Sequence, residues 1–182
     1  KAAQARSGFE LFGENGGGAG NVIDSIQRGT IDVTGVTWSN LPIAINPVDR
    51  NRSICMIHAT TNARQPYRDA ISIKFTADDE IMLQRGLSPT ATDIRAHWQV
   101  IQFNDVKSVQ TGTVTLTVHG QNVDVPINPV NTDKSILVVS YRSDVDNTDA
   151  HSLYADIIDS NTLRFATFPA TVYAEWQVIE FN

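Results

Sequence analysis

HWQVIQFN at residues 97–104 returns as EWQVIEFN at residues 175–182, with six of the eight positions identical. Short runs rich in aromatic and β-branched residues, without Gly or Pro, are typical of β-strands. Because side chains alternate along a strand, Trp98 and Val100 share one face, and the Ile and Phe that follow share the other. Both faces are apolar, so each strand is predicted to be covered on both sides, by its own sheet partner and by a second surface.

Other blocks of sequence repeat in the same order around these two strands, which indicates an internal duplication. The blocks are SIQRGTI (25–31) and SVQTGTV (108–114), INPV (45–48) and INPV (127–130), and RSI (52–54) and KSI (134–136). We therefore predict two tandem copies of one module, at residues 24–104 and 105–182, preceded by an N-terminal segment at residues 1–23.

Within each module the apolar residues recur with a period of two, as expected for β-strands. The run at 113–118 alternates threonine with valine or leucine and is typical of a half-buried strand. The continuous apolar run at 135–140 and its counterpart at 53–58 predict central strands. Asn46-Pro47 and Asn128-Pro129 mark strand ends, because proline cannot donate to a ladder. The predicted fold class is all-β, with two tandem antiparallel β-sandwich modules of about six strands each.

The segment before the modules is rich in glycine. Gly16, Gly17, Gly18 and Gly20 lie within residues 13–20, and so much glycine makes ordering the backbone entropically costly. We expect a flexible Gly-rich N-terminal arm. The alternative, a loop that binds phosphate, requires a preceding strand and a following helix with Lys-Ser or Lys-Thr, and the sequence offers neither.

Composition narrows the classes of partner. The formal net charge is −6, and the 14 Lys and Arg residues form no basic cluster, so we expect no nucleic-acid partner. The longest apolar run, at 136–139, is far too short to cross a bilayer, so we expect no membrane insertion. The single cysteine precludes an internal disulfide, and small modules without one need packing against each other or against other subunits.

No residue pattern favours catalysis, and we predict that the protein is not an enzyme. Cys55 aligns with Leu137 on the duplicated central strand, which favours a buried apolar side chain over an activated thiol. Asp78-Asp79-Glu80 offers carboxylates for glycoside hydrolysis, but adjacent residues of a strand point apart. A turn is the favoured interpretation of these three residues. No cofactor is expected.

The most acidic stretch is the loop at 144–151. Asp144, Asp146 and Asp149 are candidate ligands for a calcium ion, since hard cations take several carboxylates from one loop. The loop lacks the central Gly and the distant Glu of an EF-hand, so a solvated hairpin tip is favoured. The four histidines show no spacing typical of a zinc site, and we expect no bound metal.

Two stretches combine aromatic and guanidinium side chains, a combination that is common at sugar and protein contacts. They contain Arg64, Tyr67 and Arg68 in the first module, and Tyr141 and Arg142 near the corresponding place in the second. These five residues are candidate ligand contacts, although the same composition also occurs in loops that bind nothing.

The module opens with Gln-x-Gly-Thr at 27–30 and 110–113 and closes with Trp-Gln-Val-Ile-x-Phe. With the intervening Ile-Asn-Pro-Val and Lys/Arg-Ser-Ile blocks, it resembles a repeat found in virion proteins of tailed bacteriophages. The opening and closing strands are also similar to those of H-type lectin domains, which are six-stranded sandwiches that assemble as trimers or hexamers and bind sugars. The sugar-contacting loop residues of those lectins have no counterpart here, so no glycan site is transferred to any residue.

This resemblance implies a structural protein on the exterior of a virion, built for multivalent assembly. We expect a tail-fibre, baseplate or head-fibre component that binds host-surface carbohydrate, or alternatively a capsid decoration or cement protein with no ligand of its own. Its expected partners are other virion proteins and further copies of itself, with a trimer favoured. The expected interface between modules or subunits is the Trp face, with Trp98, Val100, Trp176 and Val178, or else the Ile-Phe face of the same strands.

Overall fold

The computed structural model describes residues 22–33, 39–61, 70–86, 94–117, 120, 122–143, 152–168 and 171–182. Residues 1–21 of the predicted N-terminal arm lie outside these ranges. Within the described ranges the chain forms twelve β-strands and two short 3-10 helices, Arg50–Arg52 and Thr132–Lys134. No helix in this part of the chain is long and apolar enough to span a membrane.

The strands fall into two sets of six, which we call the first and the second half. The first half contains β1 (Ile23–Val33), β2 (Asn40–Ala44), β3 (Ser53–Thr61), β4 (Ile71–Ala77), β5 (Glu80–Arg85) and β6 (Ile94–Phe103). The second half contains β7 (Val106–Leu116), β8 (Asn122–Pro126), β9 (Ser135–Ser143), β10 (Ser152–Asp159), β11 (Thr162–Phe168) and β12 (Val172–Phe181). The halves correspond strand by strand, from β1 and β7 to β6 and β12.

Each half is a sandwich of two three-stranded antiparallel sheets. The strand orders are β1-β6-β3 and β2-β5-β4 in the first half, and β7-β12-β9 and β8-β11-β10 in the second. Every pairing within the described ranges joins strands of the same half. The structure thus confirms the all-β prediction of two tandem antiparallel β-sandwiches with six strands each.

The duplicated closing strands, β6 and β12, lie at the centre of their sheets and direct their Trp face inward. Trp98 and Val100 are buried in the first core, and Trp176 and Val178 in the second. The facing sheets contribute Ile73, Ile81 and Leu83 to the first core and Leu163 and Phe165 to the second. The Trp face, one of the two faces that we expected to meet another module or subunit, is therefore the interior of each sandwich, because the facing sheet of the same half covers it.

The Gln-x-Gly-Thr block and the closing strand form one structural unit in each half. Gly29 lies opposite Trp98 in the β1–β6 pairing, and Gly112 lies opposite Trp176 in the β7–β12 pairing. A Cβ atom on either glycine would overlap the neighbouring indole. Glycine is required at both places because the Trp ring lies across the backbone of the adjacent strand.

The glutamine of the same block fixes the Ile-Asn-Pro-Val loop. Gln27 Nε2 donates to the carbonyl of Asn46 at 2.9 Å, and the amide of Asn46 donates to Gln27 Oε1 at 2.7 Å. Gln110 makes the same two bonds with Asn128, at 2.9 and 2.7 Å. The loop backbone is thus paired without a neighbouring strand, which explains why the two blocks repeat together.

The two halves contact each other edge to face, at what we call the junction. The edge strands β3 and β4 of the first half lie on the outer face of the β7-β12-β9 sheet of the second half. One side of the junction is apolar and contains Ile54, Phe103 and Ile179. The rings of Phe103 and Phe181 meet there edge to face, with 5.3 Å between their centroids. The contact between the modules is therefore covered by the Ile-Phe face of the closing strands and not by the Trp face.

Candidate functional site

Polar side chains of the second half complete the exposed strand edges of the first half at the junction. β3 is an edge strand, and the amide of Cys55 donates to Gln177 Oε1 at 2.9 Å. Gln177 Nε2 donates in turn to the carbonyl of Cys55 at 2.7 Å. Both residues are buried, so the Gln177 side chain takes the place of a neighbouring strand.

The edge strand of the other sheet, β4, is completed in the same way. The amide of Ile73 donates to Ser140 Oγ at 3.0 Å, and the Ser140 hydroxyl lies 3.3 Å from the carbonyl of Ile73. One face of the second half therefore pairs backbone groups from both sheets of the first. Since a buried unpaired backbone group costs about 1–3 kcal/mol, these bonds favour a single arrangement of the halves.

A buried carboxylate lies beside these bonds. Glu175 Oε1 accepts a hydrogen bond from Lys74 Nζ at 3.0 Å, and Glu175 Oε2 accepts one from Thr113 Oγ1 at 2.6 Å. The Lys74 side chain is 38% exposed, whereas that of Glu175 is 5% exposed. The pair links β4 to β12 and compensates the carboxylate charge where it is removed from water.

Next to this ion pair the junction opens into a cleft of about 490 Å³, whose walls come from both halves. The polar lining residues are Asp49, Arg50, Asn51, Lys74, Asp78, Thr111, Thr113, Glu175 and Gln177. Arg50 Nε donates to Asp78 Oδ1 at 2.8 Å. The described lining therefore presents charged side chains that are paired, as in Arg50–Asp78 and Lys74–Glu175, and the hydroxyl groups of threonine side chains. Such a lining suits hydrogen bonding to a hydroxylated ligand better than acid–base catalysis.

Residues 78–80 form a tight connection between β4 and β5. Asp78 and Asp79 make the turn, and Glu80 begins β5. The carbonyls of Asp79 and Asp78 accept hydrogen bonds from the amides of Ile45 and Val48, both at 2.9 Å. The structure confirms the turn interpretation, and it shows that this turn anchors the Ile-Asn-Pro-Val loop.

Cys55 is a free thiol buried in the first core. Burial raises the pKa of this thiol to about 12, and its contact with Gln177 opposes part of the rise. The side chain is therefore protonated at neutral pH, and a protonated thiol is a poor nucleophile. This placement agrees with the predicted role of Cys55 as a small apolar residue.

A second buried carboxylate, Glu180, supports the loop before β9. Glu180 Oε1 accepts hydrogen bonds from Lys107 Nζ and from the amide of Asn131, both at 2.8 Å. The bond from Lys107, followed by the bond from Asn131, lowers the pKa of Glu180. The first half has Gln102 at the corresponding position, where Gln102 Oε1 accepts from the amide of Asp49 at 2.8 Å. A contact that both halves share indicates a structural role for Glu180.

The structure describes two of the five candidate ligand contacts. Tyr141 and Arg142 lie within strand β9, near its end, and not in a loop. Tyr141 packs against the core of the second half, and burial raises the pKa of its hydroxyl. The Arg142 guanidinium lies 4.2 Å from the centre of the Tyr173 ring. The three candidates of the first module fall outside the described residues, so a ligand site that combines all five stays a prediction.

The calcium candidates Asp144, Asp146 and Asp149 also fall outside the described residues. In the part of the chain that the structure describes, no three His, Cys, Asp or Glu side chains lie close enough together to hold a metal ion. His58 and His97 lie opposite each other on β3 and β6. The calcium site in the acidic loop stays an untested alternative to a solvated hairpin tip.

The polar residues of the junction have no distinctive pattern in the sequence. Gln177 and Gln99 occupy the same place in the duplicated closing strand, so the repeat gives no sign that only one of them binds a strand edge within the chain. The available signal is a difference between the copies. Glu175 stands where the first copy has His97, and a carboxylate on a largely buried strand indicates a partner elsewhere.

Comparisons with protein-family models, with curated proteins and with solved structures found no match to this chain.

Proposed function

We propose that the chain is a non-enzymatic structural protein of a bacteriophage virion exterior, an oligomeric component of a tail fibre, baseplate or head fibre. The observation that carries this proposal is the junction, where Gln177 and Ser140 of one half complete the strand edges of the other. These bonds join two copies of one module into a single unit. Repeated units suit particles that present many weak binding sites at once.

The link to bacteriophages comes from the resemblance of the duplicated blocks to a virion repeat. The contacts of these blocks support a scaffold role, because the same residues build the module in each half. The glycine accommodates the Trp ring, and the glutamine holds the Asn-Pro loop. The duplicated residues thus serve folding, and the described contacts give them no catalytic task.

The chemistry of the junction also supports a structural or binding role. Among the described residues there, Lys74 and Glu175 pair with each other, and Cys55 is a buried thiol whose pKa is raised. General acid–base and nucleophilic catalysis need groups whose pKa lies near the working pH and that can reach a substrate. The described junction groups instead stabilise the contact between the halves.

We further propose that the protein binds host-surface carbohydrate through residues 64–68 and through Tyr141 and Arg142 near the end of β9. Aromatic rings and guanidinium groups at loops provide stacking surfaces and hydrogen-bond donors for sugars. The hydroxyl groups of Thr111 and Thr113 line the cleft between the halves and offer a second place for a hydroxylated ligand. Many copies on one particle would make a weak single site sufficient.

The alternative is a capsid decoration or cement protein with no ligand of its own. The observation that favours it is apolar surface on the second half, where Ile136 and Tyr154 are exposed. A neighbouring protein of the particle would remove such side chains from water.

Immunogold labelling tests the location of the protein. Antibodies against the full chain are applied to purified particles of the phage that encodes it, and electron microscopy records the position of the gold. Label on the tail, baseplate or fibres supports the main proposal, and label spread over the shell supports the decoration alternative. Particles without label would overturn both.

A glycan array tests the carbohydrate proposal. The full chain is compared with the double variant Arg64→Ala, Tyr67→Ala, which we expect to bind at least tenfold more weakly. Arg164→Ala is the matched control, since Arg164 is engaged with Asp124 on the outside of the second half. Equal binding by the double variant and the wild type would remove Arg64 and Tyr67 from the site.

A further inference from the structure

The junction uses a different surface from each half, although the halves share one fold. The first half contributes its β3–β4 edge together with the end of β6 at Phe103, and the second contributes the outer face of its β7-β12-β9 sheet. A contact of this heterologous kind leaves each partner with an unused copy of the surface that the other contributes.

Each half has one unused surface: an outer sheet face on the first half and a pair of strand edges on the second. The exposed face is the outer face of the β1-β6-β3 sheet, with Met56, His58, His97 and Gln99. The exposed edge is formed by β9 and β10, with Ile136, Leu137, Tyr154, Asp156 and Ile158. In the junction, the counterparts of these two surfaces are in contact with each other.

The exposed edge of the second half presents apolar side chains to solvent at positions whose counterparts in the first half are buried. Ile136 is 52% exposed, whereas its counterpart Ile54 is 4% exposed. Tyr154 is 53% exposed, whereas its counterpart Ser72 is fully buried. Between β9 and β10 the sandwich opens into a groove of about 630 Å³, lined largely by half-buried apolar side chains. The second half thus lacks the cover that the first half receives.

Exposed large apolar side chains concentrate on these two surfaces. Within the described part of the chain, Met56 lies on the exposed face, and Ile136, Tyr154 and Ile158 lie on the exposed edge. The other exposed large hydrophobic residues lie at or just before the start of β1. Contact between the exposed face and the exposed edge would remove apolar area of both from water.

The exposed face carries Gln99, the counterpart of the glutamine that completes an edge strand in the junction. Gln99 and Gln177 occupy the same place in the two closing strands, on the outer faces of their sheets. Gln177 binds the amide and the carbonyl of Cys55, whose counterpart on the exposed edge is Leu137. With the same geometry, Gln99 of one copy would bind the backbone of Leu137 in another.

The ion pair of the junction has a histidine and a carboxylate as its counterparts on the two exposed surfaces. Lys74 and Glu175 form the pair within the chain, and their counterparts are Asp156 on β10 and His97 on β6. Thr30 Oγ1 lies 3.0 Å from His97 Nδ1. Its counterpart Thr113 makes the equivalent contact with Glu175. A histidine N–H opposite a carboxylate would restore a hydrogen bond between the surfaces.

We propose that copies of this chain assemble head to tail, with the exposed face of one copy covering the exposed edge of the next. Gln99 then binds the Leu137 backbone, and His97 pairs with Asp156, in an intermolecular version of the junction. The proposal deepens the proposed function by naming the partner, and it rests only on the assembly part of that function. A heterologous contact closes into a ring or continues as a fibre, depending on its rotation angle.

The first test measures the mass of the full chain in solution by light scattering at micromolar concentration. We expect oligomers for the wild type and monomers for Met56→Glu, which places a charge inside the apolar contact. Met82→Glu is the matched control, because Met82 faces outward on the other sheet of the first half, and it should assemble as the wild type does. A monomeric wild type would overturn the contact, as would a Met56→Glu chain that still assembles.

A charge exchange distinguishes loss of contact from loss of folding. His97→Glu alone should weaken association at least tenfold, because it sets two carboxylates opposite each other. The double variant His97→Glu, Asp156→Lys copies the Lys74–Glu175 pair of the junction and should restore association. A double variant that associates as weakly as His97→Glu would show that these residues do not meet.

A photo-crosslinking amino acid at position 56 identifies what covers the exposed face. Capture of β9 or β10 of another copy supports the proposal. Capture of residues 1–21 of the same chain, or of a different region of a second copy, would overturn it. A chain that proves monomeric still has its virion location tested by immunogold labelling, so the two proposals can fail separately.

Discussion

One glycine in each half decides how the closing strand packs. Gly29 and Gly112 each lie opposite a Trp of the neighbouring strand, and a Cβ atom at either position would overlap the Trp ring. The recurrence of Gln-x-Gly-Thr before a Trp strand is therefore the sequence record of a packing requirement. Glycine weakens a strand in isolation, but here it permits burial of the largest side chain.

We predict that Gly29→Ala destabilises the protein by about 1–3 kcal/mol, the usual cost of overpacking a core. Denaturant unfolding followed by Trp fluorescence measures the change in the free energy of unfolding. Thr30→Ala on the same strand is the control, since the Thr30 side chain points outward to His97, and it should cost less than about 1 kcal/mol. Equal stability of Gly29→Ala and the wild type would contradict the close approach of the Trp98 ring.

We predict that Cys55 resists thiol reagents until the protein unfolds. Burial raises the pKa of its thiol to about 12. At pH 8 the thiol is therefore protonated, and the reagent has no access to it. The rate of labelling by a chromogenic disulfide is measured against denaturant concentration, and it should rise together with the fraction unfolded. Labelling of the native protein at the rate of a free cysteine would show that the first core opens at Cys55.

Glu180 should make stability depend on pH in one direction. Because its pKa is lowered in the folded state, the ionised carboxylate contributes stability above its ordinary pKa of 4.5, and the contribution is lost as the pH falls through the lowered value. We predict that Glu180→Gln is less stable than the wild type at pH 7 and that the difference shrinks at pH 3. Gln stands at this position in the first half, so the bond from the Asn131 amide is kept. Unfolding at both pH values measures the difference, and a gap independent of pH would exclude the charge as its cause.

At the scale of the strand, one side chain stands in for a missing neighbour. Gln177→Ala leaves the buried amide and carbonyl of Cys55 without partners, and we predict a loss of about 2–4 kcal/mol in the free energy of unfolding. Gln99→Ala is the matched control, because Gln99 is the same residue on the outer face of the first half. Denaturation at submicromolar concentration compares the two variants in the single chain. Equal effects would mean that Gln177 does not complete the edge of β3.

Strands, turns and the duplication were predictable because they depend on local chemistry. The alternation at 113–118 predicts part of β7, and the Asp-Asp turn between β4 and β5 follows from residues that disfavour a strand. The prediction of two sandwiches combined the order of the repeated blocks with the alternation and the turn residues of each copy. Each strand and turn is decided by residues close together in the chain, and the duplication follows from comparing the two copies.

Local patterns did not predict which apolar face of each closing strand is covered by its own sandwich. Trp98 and Ile101 lie on opposite faces of β6, and alternation shows that two apolar faces exist without showing which one is the core. The decisive fact, that Gly29 lies opposite Trp98, requires the strand register. The partners of Cys55 and Ile73 are likewise remote in sequence, 122 and 67 residues away. Interactions between modules depend on three-dimensional placement, which local patterns do not contain.

At the scale of the whole molecule, the junction makes the two halves depend on each other. A small sandwich buries a limited core on its own, and the first half would expose the edges of β3 and β4 if the halves separated. The second half would expose Ile179, which is fully buried in the apolar side of the junction and belongs to neither sandwich core. Unfolding of either half should therefore destabilise the other.

We predict a single calorimetric transition for the full chain, with equal calorimetric and van't Hoff enthalpies, at a concentration where the chain is monomeric. Ile179→Ser should divide this transition in two, because it places a hydroxyl without a partner in the apolar contact that couples the halves. Ile158→Ser is the matched control: its side chain is exposed on β10, outside the junction, so the variant should keep one transition. Two separate transitions in the wild type would mean that the halves unfold independently, and the junction would then join stable domains and not complete an otherwise unstable one.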